Sequence, residues 1–194
     1  TISSIMMKKI ICHGDSLTEG SDLEKSYTWP RLLQNQLGVE VRNSGIGGDT
    51  TGGLLSRFYF DVLKHRPGFV FIMGGTNDLW WDLDIRIIQA NIFAMVSQAQ
   101  YHDIAPIIGV PLPLHMERVL SVDMLEPVGG YERCSKKLSQ LASELIVSAE
   151  KSEIPILDFY HLFMGKGGDV LGDYFLEDGL HPNKQGHRLI TENT

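Results

Sequence analysis

Along this chain, short runs rich in Ile and Val alternate with longer segments whose apolar residues recur at three- and four-residue steps. The runs at 9–13, 39–42, 69–73, 104–110 and 154–158 have the length of strands, and those at 69–73 and 104–110 are apolar throughout. Between and after them, 27–37, 53–65, 84–101, 131–151 and 183–191 carry the helical period. Within 131–151, Leu138, Leu141, Leu145 and Ala149 fall on one helical face.

Apolar strands that alternate with helices predict an α/β fold with a parallel sheet covered on both sides. With five strands the expected product is a flavodoxin-like, three-layer α/β/α sandwich. Ligands of such sheets sit beyond the carboxyl ends of the strands. The polar, Gly-rich segments lie where that geometry requires. Gly14-Asp15-Ser16 follows the first run, the segment 43–50 the second, 74–78 the third and 111–116 the fourth. No internal repeat, low-complexity tract or linker interrupts the 194 residues. One domain is therefore expected over 1–194, with 1–7 as an irregular tail.

Charge and composition narrow the partners. A net charge of −7 excludes a nucleic-acid partner, which needs concentrated Lys and Arg. Two cysteines in a chain of this length make no disulfide framework, and Cys12, inside the first apolar run, reads as a small core residue. No apolar stretch approaches the ~20 residues that span a bilayer, so no integral membrane segment is expected. Residues 1–9 lack the charged-then-apolar order of a signal peptide. The expected location is cytoplasmic, although a secreted chain already trimmed of its leader reads the same.

Four segments carry candidate chemistry. In Gly14-Asp15-Ser16-Leu17, a glycine turn presents a serine hydroxyl at the sheet edge, where a neighbouring base can activate it. The bland alternative is an ordinary turn, and Thr18 stands where the G-x-S-x-G elbow has its last glycine. Gly45, Gly47 and Gly48 make the second segment a close-approach loop, suited to donating a backbone N–H to an oxyanion. A phosphate-binding loop competes, but the Lys-Ser/Thr ending of a P-loop is missing. In Gly74-Gly75-Thr76-Asn77-Asp78, the Asn77 amide can donate to an oxyanion, or the segment can simply cap a helix. In Asp178-Gly179-Leu180-His181-Pro182-Asn183, the three-residue step lets a carboxylate hold one imidazole nitrogen and leave the other as a base. The same pair could belong to a metal site with His187 as third ligand. No other cluster supports one, so neither metal nor cofactor is expected. His13, His65, His102, His115 and His161 read as lacking a comparable partner.

Together the four segments resemble the SGNH hydrolases, also called GDSL esterases or lipases. The family's serine, glycine, asparagine and histidine match Ser16, Gly48, Asn77 and His181 in family order, across nearly the whole chain. The resemblance implies a flavodoxin-like fold and metal-free hydrolysis of acyl esters or thioesters. It assigns nucleophilic attack to Ser16, proton transfer to His181 and orientation of that ring to Asp178. It places the oxyanion among the N–H groups of Ser16 and Gly48 and the amide of Asn77. Asp15, Asp49 and Asp78 are expected to brace their loops.

The substrate expected from this resemblance is a small-molecule acyl ester. Leu79, Trp80 and Trp81 follow Asn77, and Leu114, His115 and Met116 follow the fourth strand, so these six are candidate pocket walls. An apolar, aromatic pocket suits a small or medium acyl chain. Tryptophans also stack on sugars, which keeps a carbohydrate O-deacetylase open, and a non-catalytic flavin- or nucleotide-binding module is the alternative of another class. The Gly-rich segment 165–169 is a candidate lid.

Overall fold

The polar residues that close each apolar run do so at one edge of a sheet. The computed structural model describes residues 9–20 and 22–194; the expected tail 1–7 lies outside them. Strands β1 (Ile10–Gly14), β2 (Val41–Gly45), β3 (Phe69–Met73), β4 (Ala105–Val110) and β5 (Ile156–Asp158) form a parallel sheet in the order β2-β1-β3-β4-β5. Gly14, Gly45 and Met73 share one level of the ladder, so β1, β2 and β3 deliver their following loops side by side. This is the flavodoxin-like sandwich expected from the pattern.

The helices are α1 (Ser16–Glu19), α2 (Trp29–Leu37), α3 (Thr51–Asp61), α4 (Thr76–Trp80), α5 (Ile85–Tyr101), α6 (Met116–Val119), α7 (Tyr131–Lys151), α8 (Phe159–Leu162) and α9 (Lys184–Glu192). The two-residue alternation of the strands splits the apolar side chains between two cores. Ile11, Val70, Ile72 and Ile108 pack with Leu54 and Phe58 of α3, Ile88 and Ile92 of α5, and Leu138 and Leu141 of α7. Ile10, Cys12, Phe71 and Met73 pack with Trp29 and Leu33 of α2, Phe159 of α8 and Ile190 of α9. Cys12 and Cys134 are free, buried and in different cores.

Several boundaries depart from the sequence pattern. β2 runs on to Gly45 through Arg42 and Asn43, polar residues that an edge strand can present to solvent. Gly45 then meets the backbone of α1 so closely that a Cβ there would lie 2.7 Å from Glu19 Cα. The helix expected over 53–65 starts earlier, at Thr51, because Thr50 Oγ1 accepts the Gly53 N–H and caps it. It also stops at Asp61, before a 3₁₀ turn. The one-turn helices α1, α4, α6 and α8 are too short to show a period.

His187 ties the last helix to α2. Its Nδ1 accepts the Trp29 backbone N–H at 3.0 Å, which places the ring's proton on Nε2. Burial, aided by the nearby His181 charge, lowers its pKa to about 4. The folded value lies below the unfolded one, so the unfolded chain binds the extra proton between pH 6.5 and about 4. Stability present above pH 6.5 is lost across that window as pH falls, by up to about 1.4 kcal/mol per pH unit. Urea unfolding of wild type against His187→Gln, which keeps an acceptor for Trp29, should show the wild-type curve falling more steeply on acidification. Parallel curves would contradict this.

Candidate active site

Ser16 owes its position to the turn that ends β1. Asp15 caps α1 by accepting the Leu17 N–H at 3.0 Å, and Gly20 ends that helix in the left-handed region at φ 66°. The Ser16 side chain therefore leaves the first residue of a one-turn helix just past the strand. Asp15 is wholly buried. Burial pushes its carboxyl up to about 7, against the opposing pull of the Leu17 N–H and the His181 charge.

The loop before α9 brings the other end of the chain to the same place. His181 Nε2 lies 3.0 Å from Ser16 Oγ, and His181 Nδ1 lies 2.6 Å from Asp178 Oδ2. Asp178 Oδ1 also accepts the N–H groups of Leu180 and His181, both at 2.9 Å, which locks the carboxylate across the turn. Burial opposes ionisation of Asp178, but these hydrogen bonds outweigh it and hold the carboxyl below its usual value. Burial likewise lowers the basicity of His181. The hydrogen bond and charge of Asp178, with Asp22 and Asp15 behind it, reverse that and raise the ring above 6.5. A neutral imidazole held through Nδ1–H by a carboxylate leaves Nε2 as acceptor for a hydroxyl proton.

The supports of this loop were not evident in the sequence. Arg118 Nη1 donates to Phe175 O at 2.7 Å and Leu176 O at 3.0 Å, and the His115 N–H donates to Gly179 O. Asn183 both caps α9 and donates to the carbonyls of Asp173 and Phe175. Gly179 has φ 67° and a Cβ there would sit 2.7 Å from His115 O, so the turn between Asp178 and His181 admits little else.

The two other segments complete the same edge. Gly48 has φ 76°, is exposed, and its N–H has no acceptor among the described residues. A Cβ on its neighbour Gly47 would lie 3.9 Å from Ser16 Cβ, whereas one on Gly48 would meet nothing within 4 Å. The Asn77 amide donates one hydrogen to Asp49 O at 2.9 Å and retains a second. The three aspartates sit as braces. Asp15 caps α1, Asp49 pairs with Arg57 at 2.7 Å, and Asp78 accepts the Thr51 N–H and hydroxyl at 2.9 and 2.6 Å.

The pocket expectation needs correction. Leu79 and Leu114 are each 1% exposed and belong to the core between the sheet and α3, α5 and α7, so neither has surface to offer a substrate. Trp80 donates from Nε1 to Leu125 O and packs edge-on against Tyr131, whereas Trp81 is 56% exposed. Met116 packs against the core, and His115 lines an open cavity with Arg118 and Gly172 rather than the recess at Ser16. That recess is lined by Ser16, Gly20, Asp22, Leu176, His181 and His187. The segment 165–169 closes on itself, with the Gly165 N–H donating to Asp169 O at 2.7 Å, and does not line this recess.

Two readings of histidine also change. His187 does not join His181 in a convergent ligand group among the described residues, and its Nδ1 accepts the Trp29 N–H. Among the described residues, the ligand atoms that converge near His181 are those of Asp178 and Asp22. His161 does have a partner: Asp158, three residues earlier, holds its Nδ1 at 2.6 Å. This exposed pair repeats the Asp178–His181 geometry, but its ring meets no hydroxyl among the described residues. The spacing alone thus makes a dyad; the fold decides whether a serine meets it.

Residues 12–189 match the GDSL-like lipase/acylhydrolase family. The chain is 31% identical over 185 residues to esterase TesA of Pseudomonas aeruginosa, covering 93% of this chain and 82% of that protein. It is 26% identical over 192 residues to an arylesterase of Vibrio mimicus, covering 95% and 85%. A solved structure of a G-D-S-L family protein from Desulfitobacterium hafniense superimposes with a TM-score of 0.79 at 28% identity, covering 95% of this chain and 96% of that one. No helix among the described residues is long and apolar enough to cross a membrane. With the four segments at one sheet edge and the match running from β1 into α9, the chain belongs to the GDSL-like lipase/acylhydrolase family.

Proposed function

We propose that this chain hydrolyses acyl esters or thioesters of small or medium chain length through a covalent acyl-enzyme on Ser16. The observation that carries the reading is the continuous relay Ser16 Oγ, His181 Nε2, His181 Nδ1, Asp178 Oδ2, with steps of 3.0 and 2.6 Å between side chains. His181 takes the hydroxyl proton as Ser16 Oγ bonds to the acyl carbon. Charge on the carbonyl oxygen is met by the N–H groups of Ser16 and Gly48, which have no acceptor among the described residues, and by the second hydrogen of Asn77 Nδ2. His181 then gives its proton to the departing alcohol or thiol. Water repeats the sequence on the acyl-enzyme, releasing the carboxylate and restoring Ser16. Asp178 keeps the proton of the resting imidazole on Nδ1 and stabilises the imidazolium. Trp81, the exposed one of the six candidate pocket residues, is the aromatic surface this reading assigns to an acyl or alcohol group. An acetylated sugar stacked on the same ring is the second reading, and comparing acyl-chain esters with acetylated sugars separates the two.

In p-nitrophenyl acetate turnover, Ser16→Ala should lower kcat by roughly 10⁴–10⁶-fold. Asn77→Ala should cost about 2.7–4 kcal/mol of transition-state stabilisation. A variant with wild-type rate would refute the role given to that residue.

The pH profile gives an independent test. The working base is neutral His181, whose pKa lies above 6.5, so kcat/KM should rise with pH with its midpoint above 6.5. Asp178→Asn removes the main support of the charged ring. It should move that midpoint down while cutting kcat by about 10⁴-fold. A midpoint unmoved by the substitution would contradict the pairing.

A further inference from the structure

Arg57 is a largely buried cation with no part in the proposed acyl transfer. Arg57 lies on the stripe of α3 that also carries Leu54, Phe58 and Asp61, and its side chain is 16% exposed. All three guanidinium nitrogens are engaged. Nε donates to Asp49 Oδ2 at 2.7 Å and Nη2 to Gly14 O at 2.9 Å. Nη1 donates to Asp61 Oδ2 at 2.6 Å, Ser44 O at 3.0 Å and Ser44 Oγ at 3.1 Å.

Two of these acceptors, Gly14 O and Asp49, adjoin the three proposed oxyanion donors. Gly14 O precedes the Asp15-Ser16 turn and also accepts the Ile46 N–H at 3.0 Å. Asp49 closes the loop holding Gly48, with its own N–H donating to Ile46 O at 3.2 Å. The Asp49 carbonyl in turn receives the Asn77 amide at 2.9 Å, so a shift of Asp49 turns that amide.

We propose that Arg57 is a positioning residue that sets the three oxyanion donors relative to one another, through Gly14 O on one side and Asp49 on the other. The inference rests on the Ser16 acyl-enzyme reading. A planar fork is required because the acceptors lie in three directions, and a lysine ammonium cannot serve them with the same geometry. The competing role is a brace for α3 against the sheet edge, which would affect stability but not the transition state selectively.

The test compares Arg57→Lys, Asp49→Asn, Asn77→Ala and the doubles with p-nitrophenyl acetate. Donors displaced by about 1 Å cost on the order of 10²-fold in rate, so Arg57→Lys should lower kcat by about that factor. KM should change little, and the pH midpoint should stay, because the His181–Asp178 pair is untouched. In the Asn77→Ala background the Arg57→Lys loss should shrink severalfold, since one of its targets is already gone. Asp49→Asn keeps the side-chain shape. It should show the same kcat loss and the same failure to multiply with Asn77→Ala, which covers the case of an Arg57→Lys protein that does not fold. Wild-type kcat in Arg57→Lys or Asp49→Asn, or losses that multiply in full with Asn77→Ala, would overturn the proposal. If Ser16→Ala abolishes turnover while Arg57→Lys retains it, this inference alone falls. If Ser16→Ala itself retains turnover, the acyl-enzyme reading falls with it.

Discussion

The hydrogen bond between Ser16 Oγ and His181 Nε2 joins positions 165 residues apart, and the rest of the arrangement depends on that closure. A serine hydroxyl at a sheet edge has no use without a base. The base comes from a loop that follows all five strands in the chain. The loop is fixed from within by the Phe175–Pro182 bridge and the Leu176 N–H on His181 O, and from outside by the Arg118 guanidinium on two of its carbonyls. The α2–α9 contact through Trp29 and His187 then holds the end of the chain against the same face that carries α1.

Around that closure the carboxylates are divided by environment. Asp178 is held ionised by hydrogen bonds from its own turn and can stabilise a charged ring. Asp15 and Asp78 are buried, their carboxyls pushed up by burial, and their hydrogen bonds go to backbone and hydroxyl groups of the loops. A group that is costly to ionise makes a poor partner for an imidazolium but a sound helix cap. The exposed Asp158–His161 pair shows the converse: correct pair geometry without a nucleophile has no chemistry to perform.

Much of the fold and of the candidate site was legible in the sequence, for separable reasons. A strand buried on both faces is apolar throughout, so Phe69–Met73 stood out; β2 was found at 39–42 but not its end at Gly45, because an edge strand tolerates Arg42 and Asn43. Ser16, Asn77, Asp178 and His181 could be singled out as candidates because each sits in a short segment whose local geometry the residue types dictate. Arg118 could not, because its partners are backbone carbonyls, which carry no side-chain signature. Nor could Arg57, because its partners Gly14, Ser44, Asp49 and Asp61 are spread over separate segments that only the fold brings together. The available clue was an arginine and an aspartate on the apolar stripe of α3. Leu79 and Leu114 were misplaced for a related reason: a hydrophobic residue beside a functional loop looks the same whether it lines a pocket or fills the core beneath it.

The most direct test of the central claim is the mass of the protein after reaction with a fluorophosphonate, with the modified residue located by peptide sequencing. A single adduct on Ser16, absent from Ser16→Ala and slowed in Asp178→Asn, is the predicted result. An adduct elsewhere, or none on a protein that still hydrolyses esters, would contradict an acyl-enzyme on Ser16.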